Sequence, residues 1–115
     1  ITNPQHFSVA LNYKPDKDEA PIIVAKGVDS LAFRIREKAD EHNVKIFESP
    51  SLARALYFTT KLEEHIPEPL YYAIAQVFAY IFGLDSAKRE GKRNPKPKPT
   101  IPKEFRFNAD GVLEK

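Results

Sequence analysis

Apolar and polar residues alternate along Phe7-Ser8-Val9-Ala10-Leu11-Asn12-Tyr13, the two-residue period of a half-buried strand, with Asn3-Pro4 before it and Lys14-Pro15-Asp16 after it. Residues 14 to 20 read as a charged loop. Pro21-Ile22-Ile23-Val24-Ala25 is a short β-branched run of the kind found in a strand covered on both faces, and Gly27 is expected to end it. Asp29 is placed to cap a helix in which Leu31, Ala32, Ile35 and Ala39 recur at three- and four-residue steps, opposite Arg34, Glu37, Lys38 and Glu41. Asn43 is its expected stop. Val44 to Phe47 reads as a third strand, and Ser49-Pro50 offers a capping hydroxyl and a first-turn proline to a second helix through Leu52, Ala53, Leu56 and Tyr57. Lys61 to Ile66 reads as a helical turn. Pro67-Glu68-Pro69 then opens a third helix with Leu70, Ile74, Val77, Phe78 and Ile81 on one face and Gly83 as its expected stop.

This order of elements predicts an α/β fold, a small mixed sheet surrounded by helices. From Lys88 onward the periodicity disappears. Asn94-Pro95-Lys96-Pro97-Lys98-Pro99 alternates proline with lysine, favours extended polyproline II and is expected to be disordered. The chain therefore divides into a folded domain, 1–87, and a basic proline-rich tail, 88–115. Phe105, Phe107, Val112 and Leu113 form a weak apolar cluster near the end, suited to docking back or to meeting a partner.

Composition narrows the chemistry. With no cysteine, disulfides, thiolate nucleophiles and cysteine-ligated zinc are excluded, and the absence is compatible with a reducing cytoplasm. No run of about 18 apolar residues is present to span a bilayer. The chain starts Ile-Thr-Asn and has no methionine, so it reads as a piece of something longer. Its net charge of +2 is unevenly placed: residues 1 to 87 carry nine Lys/Arg and twelve Asp/Glu, whereas 88 to 103 carry seven Lys/Arg and only Glu90. The basic character belongs to the tail. An acidic body without a recognition motif argues against a nucleic-acid binder. His6, His42 and His65 lack the spacing of a helical metal pair, so no metal site or cofactor is expected.

Several segments occur together in a recognisable order. They are Asn3-Pro4-Gln5-His6 with the strand after it, Ala20-Pro21 with Val24-Ala25-Lys26-Gly27, and Leu31-Ala32 with Arg34-Ile35-Arg36-Glu37. Pro50 with Leu52-Ala53-Arg54-Ala55-Leu56-Tyr57, then Ile66-Pro67 with Leu70-Tyr71 and Ala73-Ile74-Ala75, complete the set. From Asn3 to about Leu84 the chain resembles the FlhB/YscU family, the cytoplasmic domain of the export-switch protein of type III secretion. The tail leans towards the flagellar branch. One departure is Gln5, where the family signature usually has threonine.

At Asn3-Pro4 the residue types themselves direct the chemistry. Proline has no N–H, so the usual attack of the following backbone nitrogen on the asparagine side chain is closed. The reverse attack remains: the Asn3 carboxamide nitrogen adds to its own backbone carbonyl, closes a succinimide and expels Pro4 as a new amino terminus, with proximity as the main source of acceleration. His6 is the candidate proton mover, Thr2 or backbone amides the candidate oxyanion donors, and Gln5 completes the turn. The bland alternative is an ordinary tight turn, which is what most Asn-Pro pairs are.

The resemblance implies that a single self-cleavage permits the export apparatus to change substrate class at the cytoplasmic face of the bacterial inner membrane. It implies as partners other export-apparatus proteins, exported substrates, the length-control protein and an upstream transmembrane domain of the same chain. Candidate docking surfaces are an apolar patch where Ala20 and Pro21 approach Ala75 and Phe78, and the loop Lys14 to Glu19. Core packing is the competing role for Ala75 and Phe78. The competing function is a relative that docks export cargo without cutting.

Overall fold

A computed structural model describes residues 1–3, 7–14, 16, 20–90 and 96–114, and side chains within these except those of Asn3 and residues 84–90. Three strands, β1 (Thr2–Asn3), β2 (Phe7–Asn12) and β3 (Ile22–Val28), pair antiparallel in the order β1-β2-β3. Helix α1 (Asp29–Glu41) lies on one face; α2 (Pro50–Thr59) and α3 (Tyr71–Glu90) form the core with the other. The expected α/β layering is what the chain adopts.

The two long strands exchange the roles their sequences suggest. Because β2 is central, its polar Ser8 is as buried as Phe7 and Val9, and the Ser8 hydroxyl donates to the Ala32 carbonyl of α1 at 2.9 Å. Strand β3 is not covered on both faces. A bulge between Ala10↔Ala25 and Leu11↔Ile23 leaves Val24 as the extra residue, 50% exposed. Nor does Gly27 end the strand. It pairs with Ser8, and a Cβ there would sit 2.5 Å from the Leu31 Cγ, so its missing side chain lets α1 close on the sheet.

Helix termini show both agreement and correction. Asn43 stops α1 as expected: it takes φ 58°, its N–H reaches the Asp40 carbonyl, and the Val44 N–H reaches that of Ala39 at 2.8 Å, a Schellman arrangement. Asp29 is not the cap but the first helical residue after Val28, with φ 49°, and its charge suits the helix amino end. Ser49 does precede α2 with Pro50 in the first turn, yet it makes no side-chain cap bond. Gly83 does not stop α3, which runs on to Glu90; an interior glycine costs only about 1 kcal/mol, and the residues beyond it favour helix.

Val44 to Phe47 is not a strand. Its facing partner β1 is two residues long, so pairing reduces to a parallel bridge between Thr2 and Glu48. Lys61 to Ile66 is a turn rather than a helical one. Glu63 has φ 65°, and the segment caps the edge of β3 through Ile23 N–H to the Glu64 carbonyl and Ile66 N–H to the Pro21 carbonyl. The core joins Val9 and Ile23 to Leu52, Leu56, Leu70, Ile74 and Val77.

The tail also differs from the expected disorder across 96–114. Ile101, 5% exposed, belongs to the core, and the Thr100 N–H donates to Gln76 Oε1 at 2.8 Å. Burying Ile101 and part of Phe105 supplies the hydrophobic gain that the proline-lysine stretch lacks. Residues 91–95 lie outside the described ones.

Candidate functional site

Strand β1 presents Asn3 at its end, and the register Thr2↔Ser8, Asn3↔Phe7 leaves three residues, Pro4, Gln5 and His6, between the paired positions. These three, and the Asn3 side chain, lie outside the described residues. What the structure describes is how the Asn3 backbone is held. On one side the Val9 N–H donates to the Ile1 carbonyl at 2.9 Å, and the Ile1 backbone nitrogen donates to the Val9 carbonyl at 2.8 Å. On the other, the Thr2 N–H donates to the Phe47 carbonyl at 2.9 Å while the Thr2 carbonyl accepts the Ser49 N–H at 2.7 Å. Ile1 is thus fastened to β2 and Thr2 to the segment 47–49, so the strand is held from both edges.

Thr2 is 3% exposed, and its hydroxyl is the one buried side-chain polar atom with no hydrogen-bond partner among the described residues. The residue facing Asn3, Phe7, is locked by rings. Its centroid lies 5.2 Å from Tyr57 and 5.6 Å from Phe58, both edge-on, the favoured geometry for aromatic pairs. The last turn of α2 that carries these rings is capped from β3. Lys26 Nζ donates to the Tyr57 and Thr60 carbonyls at 2.9 and 2.8 Å and stands 4.9 Å from the Tyr57 ring centroid. A cation at the carbonyl end of a helix satisfies orphan acceptors and the dipole together.

The second expected group comes together at the other end of β2. Ala20, Pro21, Ala75 and Phe78 line one cavity of about 180 Å³ with Tyr13, Ile66, Tyr71 and Ile74. Ala20 and Pro21 are buried, Ala75 is exposed and Phe78 is half-buried, stacked on Tyr13 with centroids 6.0 Å apart. At about 3.3 Å per residue, the six steps from Phe7 to Tyr13 put this cavity about 20 Å from the Asn3 end. Of the expected loop, Pro15 and 17–19 lie outside the described residues.

Sequence reasoning missed Tyr13 and Tyr71 as cavity walls and the Phe7-Tyr57-Phe58 clamp. Aromatic residues facing each other across elements leave no local spacing signal; only Tyr13, closing the alternating strand, was placed at the right end. No group of His, Asp and Glu among the described residues is arranged to hold a metal, and no helix among them is long and apolar enough to cross a membrane.

Residues 1–81 match the sequence profile of the FlhB HrpN YscU SpaS Family. The flagellar biosynthetic protein FlhB of Yersinia enterocolitica is 44% identical over 102 residues, 89% of this chain and 27% of the relative. The chain spans about three-tenths of the length of the curated relatives it matches. Among solved structures, the cytoplasmic domain of FlhB from Shewanella putrefaciens superposes with a TM-score of 0.80 at 46% identity, covering 89% of this chain and 81% of that one. An EscU C-terminal domain carrying an asparagine-to-alanine substitution gives 0.68 at 27% identity, covering 73% and 84%. Other EscU structures replace the proline next to that asparagine and a histidine two residues past the proline, the residue types and spacing of Asn3, Pro4 and His6.

Proposed function

Since the chain belongs to the FlhB HrpN YscU SpaS Family, on its flagellar FlhB branch, we propose that it is the cytoplasmic part of an export-apparatus component that cuts itself once, between Asn3 and Pro4, to change which substrates are exported. The Asn3 carboxamide nitrogen bonds to its own carbonyl carbon, and the bond from that carbon to the Pro4 nitrogen breaks. A proton passes to that nitrogen, leaving a succinimide on Asn3 and a free Pro4 amine. His6 moves the proton, and the Thr2 hydroxyl or a backbone amide stabilises the growing negative charge on the oxygen.

The observation that carries this reading is the Asn3–Phe7 register. A strand fastened at both edges ends in asparagine, and only three residues, the first of them proline, separate it from the next strand. Intramolecular acyl transfer gains most when the nucleophile's backbone is already fixed, as it is here. Because the bonds of Ile1 and Thr2 do not involve the scissile peptide, the two pieces stay together after the cut. The change is then felt along β2, whose far end borders the cavity of Ala20, Pro21, Ala75 and Phe78.

Intact mass and amino-terminal sequencing test the proposal. A chain that comes to begin at Pro4, and a variant Asn3→Ala that never does, support it; an Ile1 terminus persisting through long incubation at neutral pH refutes it. The second reading, a non-cutting adaptor for export cargo, is favoured by that same cavity, which is apolar, bordered by the exposed Tyr71 and sized for one or two side chains. Exported substrates and the length-control protein are the partners proposed for it, at the cytoplasmic face of the inner membrane.

A further inference from the structure

The carboxy-terminal segment does more than fill the core at Ile101. Residues 106–114 fold into a small hairpin: Glu114 N–H donates to the Arg106 carbonyl, Asn108 N–H to the Val112 carbonyl, and Asn108 Oδ1 accepts from the Asp110 and Val112 N–H groups. Gly111 makes the turn with φ 81°, and a Cβ there would meet the Phe58 ring at 2.9 Å, so the hairpin lies against that ring. Phe107 adds a second contact, 5.7 Å from Phe58 between centroids, and its carbonyl accepts Arg54 Nε at 2.6 Å. The tip reaches further. Ala109 lines a cavity with Phe7, Val28, Asp29, Tyr57 and Phe58, at the sheet end where Phe7 faces Asn3.

From this chain of rings we infer that the hairpin 106–114 is a positioning element for the Asn3–Pro4 site, acting through Phe107, Phe58 and Phe7. The inference rests on the self-cleavage reading. Phe7 anchors the far side of the three-residue connection, and Phe58 holds Phe7 on one side while resting on Phe107 and Gly111 on the other. With the hairpin lifted, Phe58 has room to turn, Phe7 follows, and the carboxamide-to-carbonyl approach at Asn3 is held less often in its reactive geometry. A misplacement of about 1 Å at a reacting centre slows reaction about 100-fold.

The test is the first-order rate of appearance of the Pro4 terminus in the full chain, refolded from denaturant at neutral pH and followed by intact mass. Phe107→Ala is expected to cut tenfold more slowly, and Phe107→Leu to return to within twofold of the parent. Ile101→Ala, which loosens the same tail where it meets the core rather than Phe58, is expected to lower the urea midpoint at least as much yet leave the rate within twofold. A Phe107→Ala chain cutting at the parental rate, or rates that merely follow lost stability across all three variants, overturns the positioning role. A parent chain that stays whole overturns the cleavage reading itself, and the positioning role falls with it.

Discussion

Replacing Lys26 by methionine keeps the aliphatic stem and removes the ammonium that closes the carboxyl end of α2. Two hydrogen bonds disappear, to the Tyr57 and Thr60 carbonyls, together with the contact over the Tyr57 ring. Bonds from a charged donor are worth about 1.5–3 kcal/mol each. Both are partly buried, so the freed carbonyls recover some water, and the net loss is about 2–3 kcal/mol. For a urea slope of about 1.5 kcal/mol per molar, the unfolding midpoint falls by about 1.3–2 M with the slope unchanged. Circular dichroism across a urea series measures it, and Lys26→Arg, which retains the charge on a differently shaped head, is expected to fall between parent and methionine variant. A midpoint shift below about 0.3 M for Lys26→Met would mean that water replaces the ammonium at no cost, refuting the argument that β3 fixes the last turn of α2.

One further outcome follows from close packing. Gly27→Val drives a side chain into Leu31 Cγ and Cβ, at 2.5 and 2.8 Å, so α1 must lift from the sheet and stretch the Ser8–Ala32 bond; the expected loss is about 1–3 kcal/mol by urea unfolding.

What the sequence made legible was governed by local rules. The strand β2, the stop at Asn43 and the proline that opens α2 each depend on neighbours a few residues away, and each stands where expected. Gathering Ala20 and Pro21 with Ala75 and Phe78 came from the resemblance to a family, and one cavity unites them. What stayed hidden was set by distant partners. Ser8 is buried because β2 is central, and Val44–Phe47 misses being a strand because β1 is so short. Ile101 follows a proline-lysine stretch with no apolar periodicity around it, and only its packing against distant elements makes it core. At the candidate cleavage site, the residue types stated the chemistry, whereas the clamp on Phe7 required coordinates.

The left-handed turn at Asn43 also decides something remote from α1. By ending the helix within one residue and reversing the backbone, it aims residues 44–49 along the flank of Thr2, where Phe47 and Ser49 supply the outer pair of hydrogen bonds to β1. A β-branched residue at 43 resists that conformation. The helix would then overrun, the outer rail would swing away, and the asparagine-bearing strand would hang from β2 alone.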